Sequence, residues 1–505
     1  GVAVVAQLSL QIGSQGVVAY VLAGVVAAGI GLLIALLFDL RALANDDYGM
    51  CDGLTQQPGE RHPPLTTWLH GLIQEAAGRA PDDPPLTFAD LHAAPGAPLE
   101  TLGDHSPEGA RSIRLEVIVS NMTLGEPMRF PRHGSDHPPL YFRPVEMRRL
   151  FPRSVVDHLV AHSTAVDASV QVTEPARPCR LCGTAPTIAD LRLRTLPHDQ
   201  LPIVVAARMS VSFPVLFTAV ALWSKDGRTG RLRRCLMFDG GFCSNFPIHL
   251  FDSFVPAWPT FGVALYDLPD TAKDETASCR YDGRPLTDQV ELPRCHEEGI
   301  EPRWNGFDER RSPCQRVVGL LGAFLETTKN WSDNSLARMP GVRDRVVRVG
   351  LAPGIGGLNL LMTGAQIRCL GEQGKEAVRK LLTRFARPDA ATGQAIGWDE
   401  HRWVRFNLLR ESLARGLAGL SQATQTSRHA TPLRELIQRA TQHAPLEPAA
   451  GSPPASRRPL RLDQAAALES ALAALAQAER ALAAVHVDQP YKPHPSPDMR
   501  VRPPM

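Results

Sequence analysis

The sequence predicts an α/β layered fold, a sheet flanked by helices, with an N-terminal hydrophobic helix and a helical C-terminal region. Three observations predict it. Short apolar runs that stop at turn residues alternate with stretches of helical spacing. One uncharged apolar run stands near the N-terminus. An Ala/Leu-rich stretch with helical spacing closes the ordered part of the chain. The 505 residues exceed one ordinary core, and 44% hydrophobic content lets most of them bury one. A net charge of +2 argues against a broad nucleic-acid surface.

Taken in order, Val17 to Phe38 carries no charge and no proline, and Asp39 and Arg41 end it. A helix of that length spans a hydrocarbon core of ~30 Å, so residues 17–38 are expected to form a transmembrane helix. A buried helix or a hairpin lying on the membrane is the alternative. Thr66 to Ala77 has helical spacing, with Trp68, Leu69, Leu72, Ile73 and Ala76 on one side. Ile113 to Val119 alternates as a half-buried strand, and Pro144 opens a short helix. Leu201 to Ala207, Leu236 to Phe238, Phe261 to Leu265 and Arg345 to Val349 are the compact apolar runs expected as strands. Helical stretches follow at Val317 to Thr327 and Ala365 to Phe385. Leu446 to Leu460 reads as a Pro/Ala/Ser linker, Asp463 to Val485 as one amphipathic helix, and the residues from Gln489 on as disordered. The expected pieces are 1–44, a hydrophobic membrane segment; 45–270; 271–420; and 421–505, a helical extension with a linker and tail.

The sharpest local signal is Phe238-Asp239-Gly240-Gly241-Phe242-Cys243-Ser244-Asn245-Phe246-Pro247. An apolar strand delivers one aspartate at its end, and two glycines permit a tight turn and close backbone approach. A carboxylate held there can take a proton from a nucleophilic hydroxyl. Asp-Gly is also a common turn pair, and the block alone favours a mere turn.

Upstream stands Ala206-Ala207-Arg208-Met209-Ser210-Val211-Ser212-Phe213-Pro214. This block, the connection Ser224 to Arg234, and the Asp-Gly-Gly block ending in Asn245-Phe246-Pro247 together resemble the patatin-like phospholipase family. Fainter similarity lies at Val119 to Gly125 and Asn330 to Asp333, so the resemblance covers roughly Asn45 to Trp403. It implies a layered α/β sheet and a Ser–Asp dyad that hydrolyses a lipid ester through an acyl-enzyme. It makes Asp239 the dyad base, with Gly240 and Gly241 shaping its turn, and requires no cofactor, metal or catalytic histidine. The sixteen histidines, His249 included, need no part in the chemistry. The implied partners are a lipid ester and a membrane, with the catalytic region on the cytoplasmic side.

The family's serine sits in Gly-x-Ser-x-Gly on a strained strand-to-helix turn. No such motif occurs here. Ile12-Gly13-Ser14-Gln15-Gly16 comes nearest, but it has the wrong residue two before the serine. The Gly-rich oxyanion loop is missing too. Ser210 and Ser212 belong to a different block and are not replacements. The first residue is Gly1, and the expectation is an N-terminally truncated chain whose nucleophile lies outside it. The competing expectation is a membrane-anchored, non-catalytic patatin-like module that binds lipid or a partner.

Nine cysteines, an odd number widely spaced, do not suggest a disulfide framework, and a reducing compartment is expected. Cys179-Arg180-Leu181-Cys182 is half of a zinc knuckle without a second half, and free thiols in a loop are expected. Gly354-Ile355-Gly356-Gly357 is expected to be a turn. Arg228 to Arg234 is either a solvated loop or a contact for lipid phosphates. The Asn121-Met122-Thr123 sequon follows an apolar strand and carries little weight as a glycan site.

Overall fold

The computed structural model describes residues 29, 31–56, 59, 62–95, 112–132, 138–167, 172, 191–256, 258–269, 278–294, 298, 316–317, 319–320, 323–324, 327, 333–356, 359–387, 396–425, 431–441 and 461–485. Ser14, the Cys179/Cys182 pair, the linker and the tail lie outside them, as does most of the expected helix at Val317 to Thr327. The chain divides into two compact units, the first ending at Asn245 and the second beginning at Phe246.

Residues 17–28 and 30 of the expected transmembrane helix lie outside the described residues. The described part of that run is helical from residue 31 to residue 45, continuing through Asp39 and Arg41 instead of ending there. Among the described residues no helix is long and apolar enough to cross a membrane.

The first unit is built on a six-stranded sheet in the order β3-β2-β8-β7-β4-β5. The strands are β2 (Val117–Asn121), β3 (Glu126–Phe130), β4 (Leu140–Phe142), β5 (Arg194–Thr195), β7 (Val220–Lys225) and β8 (Leu232–Asp239). Every neighbouring pair in it is antiparallel. The hairpin Asp226–Arg231 between β7 and β8 is too short for a crossover, so these two strands run antiparallel. A separate parallel pair joins β1 (Gly49–Cys51) to β6 (Val215–Phe217).

Helices α1 (Leu65–Ala76), α2 (Phe88–His92), α3 (Pro144–Met147), α4 (Arg153–Ala161) and α5 (Ile203–Ser210) complete this unit. Thr87 caps α2 with a reciprocal bond to Asp90, which closes the first turn on itself. On α1 the buried residues are Thr66, His70 and Gln74, and Leu69 and Ile73 pack on the core. Trp68 and Leu72 are exposed, so the expected apolar face is rotated. Gln74 wins its place in the interior by bonding the carbonyls of Ala80, Asp83 and Pro84 and the N–H of Leu86.

Leu201 to Ala207 is not a strand. It enters α5, with Pro202 at the cap and Ile203, Val204, Val205, Ala206 and Met209 buried. A continuous apolar run marks burial on all sides, and burial alone does not choose between strand and helix. The strand expected at Ile113 begins only at Val117, and Ile113 is exposed. Asn121 is buried at the end of β2 and bonds Met128, which explains the sequon without a glycan.

The second unit holds a three-stranded sheet, β12-β13-β9, formed by β9 (Gly262–Asp267), β12 (Val290–Glu291) and β13 (Val346–Leu351). β9 and β13 are parallel. A two-residue hairpin, β10 (Arg280–Tyr281) with β11 (Arg284–Pro285), stands apart. Helix α6 (Gly364–Phe385) covers Leu286, Val290, Val347, Val349 and Leu351 with Cys369, Gln373 and Ala377. Cys279 and Cys369 form a disulfide, which the odd number and wide spacing of the cysteines did not suggest. Gly354 and Gly356 sit at positive φ in the expected turn. Helices α7 (Ile396–Gln425), α8 (Leu433–Thr441) and α9 (Leu462–Ala483) pack on one another.

Candidate active site

β8 lies between β2 and β7 in the middle of its sheet, and Asp239 is its last residue. Val119 stands directly opposite in register. At this point the strand must turn away, and Gly240 lets it. A Cβ on Gly240 would lie 2.0 Å from the carbonyl oxygen of Ile118, so no other residue fits without moving the backbone. A 3-10 turn, Gly240–Phe242, follows.

The Asp239 side chain caps that turn. Its Oδ1 accepts the N–H of Gly241 at 2.7 Å. A Cβ on Gly241 would meet Asn245 Oδ1 at 2.6 Å and Asp239 Oδ1 at 3.0 Å. The carboxylate and the Asn245 amide therefore converge above the same glycine. Among the described residues Oδ2 of Asp239 has no hydrogen-bond partner. The residue is half-buried, so one carboxylate oxygen is held while the other remains open to a proton donor.

The serine block packs against this turn through its backbone. Ser212 O accepts the N–H of Asp239 at 3.0 Å, and the rings of Phe213 and Phe242 lie 5.3 Å apart. Ser210 Oγ donates to the carbonyl of Ile118 at 2.8 Å. Ser212 Oγ is fully buried and donates to Arg208 O at 2.7 Å. Both hydroxyls are committed to structural hydrogen bonds. Val215, just after the block, holds φ +71, a strained conformation for a β-branched residue.

Three residues near the site stood in the sequence only inside motif blocks, with no role of their own. Arg208 is fully buried within the apolar helix α5. It donates to Ser212 Oγ and to the carbonyls of Asp52 and Thr218, and its guanidinium lies 5.3 Å from the Phe217 ring centre. Burial pulls its pKa down to about 10, offset in part by Cys51 and Asp52, so it remains a cation at neutral pH. Ser120 Oγ donates to Asp239 O at 2.7 Å and lies 3.1 Å from Cys243 Sγ. Asn245 was legible only as part of a motif. A single arginine inside Ala206-Ala207-Arg208-Met209 was the available hint.

A second buried set braces the other end of β8. Arg234 donates to both carboxylate oxygens of Asp47, at 2.6 and 2.8 Å, and to Glu146 Oε1 at 3.3 Å. Trp223 Nε1 donates to Glu146 Oε2 at 3.0 Å. Of the run Arg228 to Arg234, this last arginine is structural and not a lipid contact.

Among the described residues no cluster of His, Cys, Asp and Glu has the makings of a metal site. A cavity of about 680 Å³ lies between β12 and the C-terminal half of α6 and contains none of the candidate residues. His249 is exposed.

Residues 139–252 match the family described as patatin-like phospholipase. The matched segment contains both the serine block and the Asp239 turn. Over this segment the chain is similar to a domain of the lipid acyl hydrolase type. Over 463 residues it is 30% identical to the "RpoH suppressor" of Rhizobium meliloti (strain 1021), covering 82% of this chain and 64% of that protein. The chain thus spans less than two thirds of the length of that relative. No solved structure matches it.

Proposed function

We propose that the chain supplies the aspartate half of a patatin-like lipid acyl hydrolase. Asp239 acts as the base of a Ser–Asp dyad, and Gly240 and Gly241 shape the turn that presents it. The observation that carries this reading is the carboxylate at the end of the central strand, held through Oδ1 and open through Oδ2. In the proposed reaction a serine hydroxyl attacks the ester carbonyl and Asp239 takes its proton. The alcohol leaves with a proton returned to it, and water then releases the acyl group by the same route in reverse. The nucleophile and the oxyanion donors are not among the residues of this sequence, so in this reading they come from elsewhere in the working protein. The exposed apolar residues from Leu32 to Leu40 support attachment at a membrane surface.

A second reading, a non-catalytic lipid- or partner-binding module, is favoured by the absence of Gly-x-Ser-x-Gly from the chain. One experiment separates the two. The protein in its natural length should hydrolyse a short-chain p-nitrophenyl ester, and Asp239→Asn should abolish the turnover with the fold intact. Equal turnover by both proteins removes Asp239 from the mechanism, and no turnover by either supports the binding module. The 505-residue chain by itself is expected to be inactive; esterase turnover by it would overturn the assignment of an external serine.

A further inference from the structure

Among the described residues, five cationic side chains and three carboxylates line the cavity between β12 and α6, an excess of positive charge within the second unit. Its volume of about 680 Å³ is that of a small-molecule site. The cations come from three separate elements: Arg379, Lys380 and Arg384 from α6, Arg348 from β13, and Arg294 from the loop after β12. A helix draws cations to its C-terminal turns through its dipole, which accounts for those on α6. It does not account for Arg348 and Arg294 reaching the same space.

Two of these cations are held by carbonyls instead of carboxylates. Lys380 Nζ donates to Val290 O at 2.5 Å, while Glu376 Oε1 stands 3.9 Å away, beyond hydrogen-bond reach. Arg384 follows one turn further along the same face of α6. Its Nη1 donates to Pro293 O at 2.7 Å, and its Nε is buried with no hydrogen-bond partner among the described residues. A carbonyl positions a cation without neutralising it, and a buried donor left unanswered calls for an acceptor. Arg294 and Arg379 differ: they are paired with Glu298 and Glu376, and their side chains are 90% and 58% exposed. Leu292 and Pro293 add an apolar part to the wall.

We propose that this cavity binds a phosphate monoester, with the phosphate among Lys380, Arg384 and Arg348 and the organic part on Leu292 and Pro293. A planar carboxylate is satisfied by one guanidinium, whereas a tetrahedral phosphate uses donors that arrive from several directions. Here they arrive from a helix and a strand. The cavity is far larger than a phosphate ion and part of its wall is apolar, so the ligand carries an organic body. Asp288, Glu291 and Glu298 share the lining and repel an extended polyanion, which limits the ligand to a single phosphate. Two sources carry this chemistry, a soluble phosphate monoester and the headgroup of phosphatidic acid. The inference stands apart from the acyl hydrolase reading and uses none of its residues.

Titration calorimetry of the full chain with phenyl phosphate tests it. Wild type should give saturable heat, with an affinity that falls as salt is raised. Phenol, which lacks the phosphate, should give none. Lys380→Gln and Arg384→Gln should each weaken binding about tenfold, the loss expected for one charged hydrogen bond. Circular dichroism establishes that both variants are folded; for a misfolded Arg384→Gln, Lys380→Glu is the substitute and should abolish binding. No saturable heat up to about 10 mM phenyl phosphate, together with no phosphatidic-acid-dependent sedimentation, would sink the proposal. So would wild-type affinity in the variants, which would place the phosphate elsewhere, and equal affinity for inorganic phosphate, which would remove the organic body. Phosphatidylcholine vesicles with and without phosphatidic acid separate the two sources. Sedimentation that requires phosphatidic acid and is lost in Lys380→Gln assigns the lipid headgroup. Saturable heat without such sedimentation assigns a soluble ligand.

Discussion

Asp239 Oδ1 and the N–H of Gly241 are 2.7 Å apart, and this one bond makes the aspartate both a cap and a presented carboxylate. The two roles are separable by substitution. Asparagine keeps an oxygen that accepts the Gly241 N–H, so Asp239→Asn should cost less than about 1 kcal/mol. Alanine leaves that donor without its acceptor, and Asp239→Ala should cost about 1–2 kcal/mol. Urea denaturation of the two variants gives the comparison. Equal losses would show that the cap does not hold this turn.

Gly240 is a question of space. Its missing Cβ would sit 2.0 Å from a backbone oxygen of β2, and backbone cannot rotate away as a side chain can. Gly240→Ala should therefore destabilise the first unit by about 2 kcal/mol or more, by forcing β8 and β2 apart. A denaturation midpoint within error of wild type would contradict the packing described.

How far the sequence revealed this site depends on how local each feature is. Asp239, Gly240 and Gly241 were legible because strand, turn residue and glycines are adjacent in the chain. Arg208 and Ser120 were not, because their partners are the carbonyls of Asp52, Thr218 and Asp239, which only tertiary folding brings near. The same limit explains α5: Ile203-Val204-Val205 favours a strand by type, and packing against β2 and β8 made it a helix. Cys279 and Cys369 are 90 residues apart in sequence, a separation from which no pairing can be read. The hydrophobic run at 17–38 announced its apolar character but not where its helix ends.

Val215 offers a gain instead of a loss. At φ +71 its branched side chain is strained, and half of it is exposed, so little burial is at stake. Asparagine tolerates this conformation without the extra unfolded-state freedom of glycine. Val215→Asn should raise stability by about 1 kcal/mol. A lower midpoint in urea would mean that the side chain contributes packing that outweighs its strain.

The Asp47–Arg234–Glu146 set is buried, and each member is bonded to the next. Removing one charge leaves the others in a medium that does not solvate them. Asp47 sits at φ +54, so asparagine is the substitution that preserves the backbone. Asp47→Asn should cost about 3 kcal/mol, because Arg234 keeps Glu146 but loses its bidentate charged partner. A loss below ~1 kcal/mol would show that water reaches the guanidinium.

In the second unit, Asp344 Oδ2 and His401 Nδ1 lie 2.8 Å apart, and both side chains are nearly inaccessible. Burial pushes the Asp344 carboxyl upward. The His401 hydrogen bond and charge, with Arg384 and Arg345, outweigh that and hold it below its ordinary value. A carboxylate whose folded pKa is depressed binds fewer protons folded than unfolded near its titration. It therefore adds stability that is complete above the unfolded value of about 3.9. That stability is lost as the pH falls through the lower, folded value. Asp344→Asn should lower stability at neutral pH and flatten the acid limb of the stability curve below about pH 4. His401→Phe should also destabilise at neutral pH, because it leaves Asp344 charged and without its nearest partner. Urea midpoints across the acid range check both variants. An acid limb that keeps its wild-type slope in Asp344→Asn would place the proton uptake on another carboxylate.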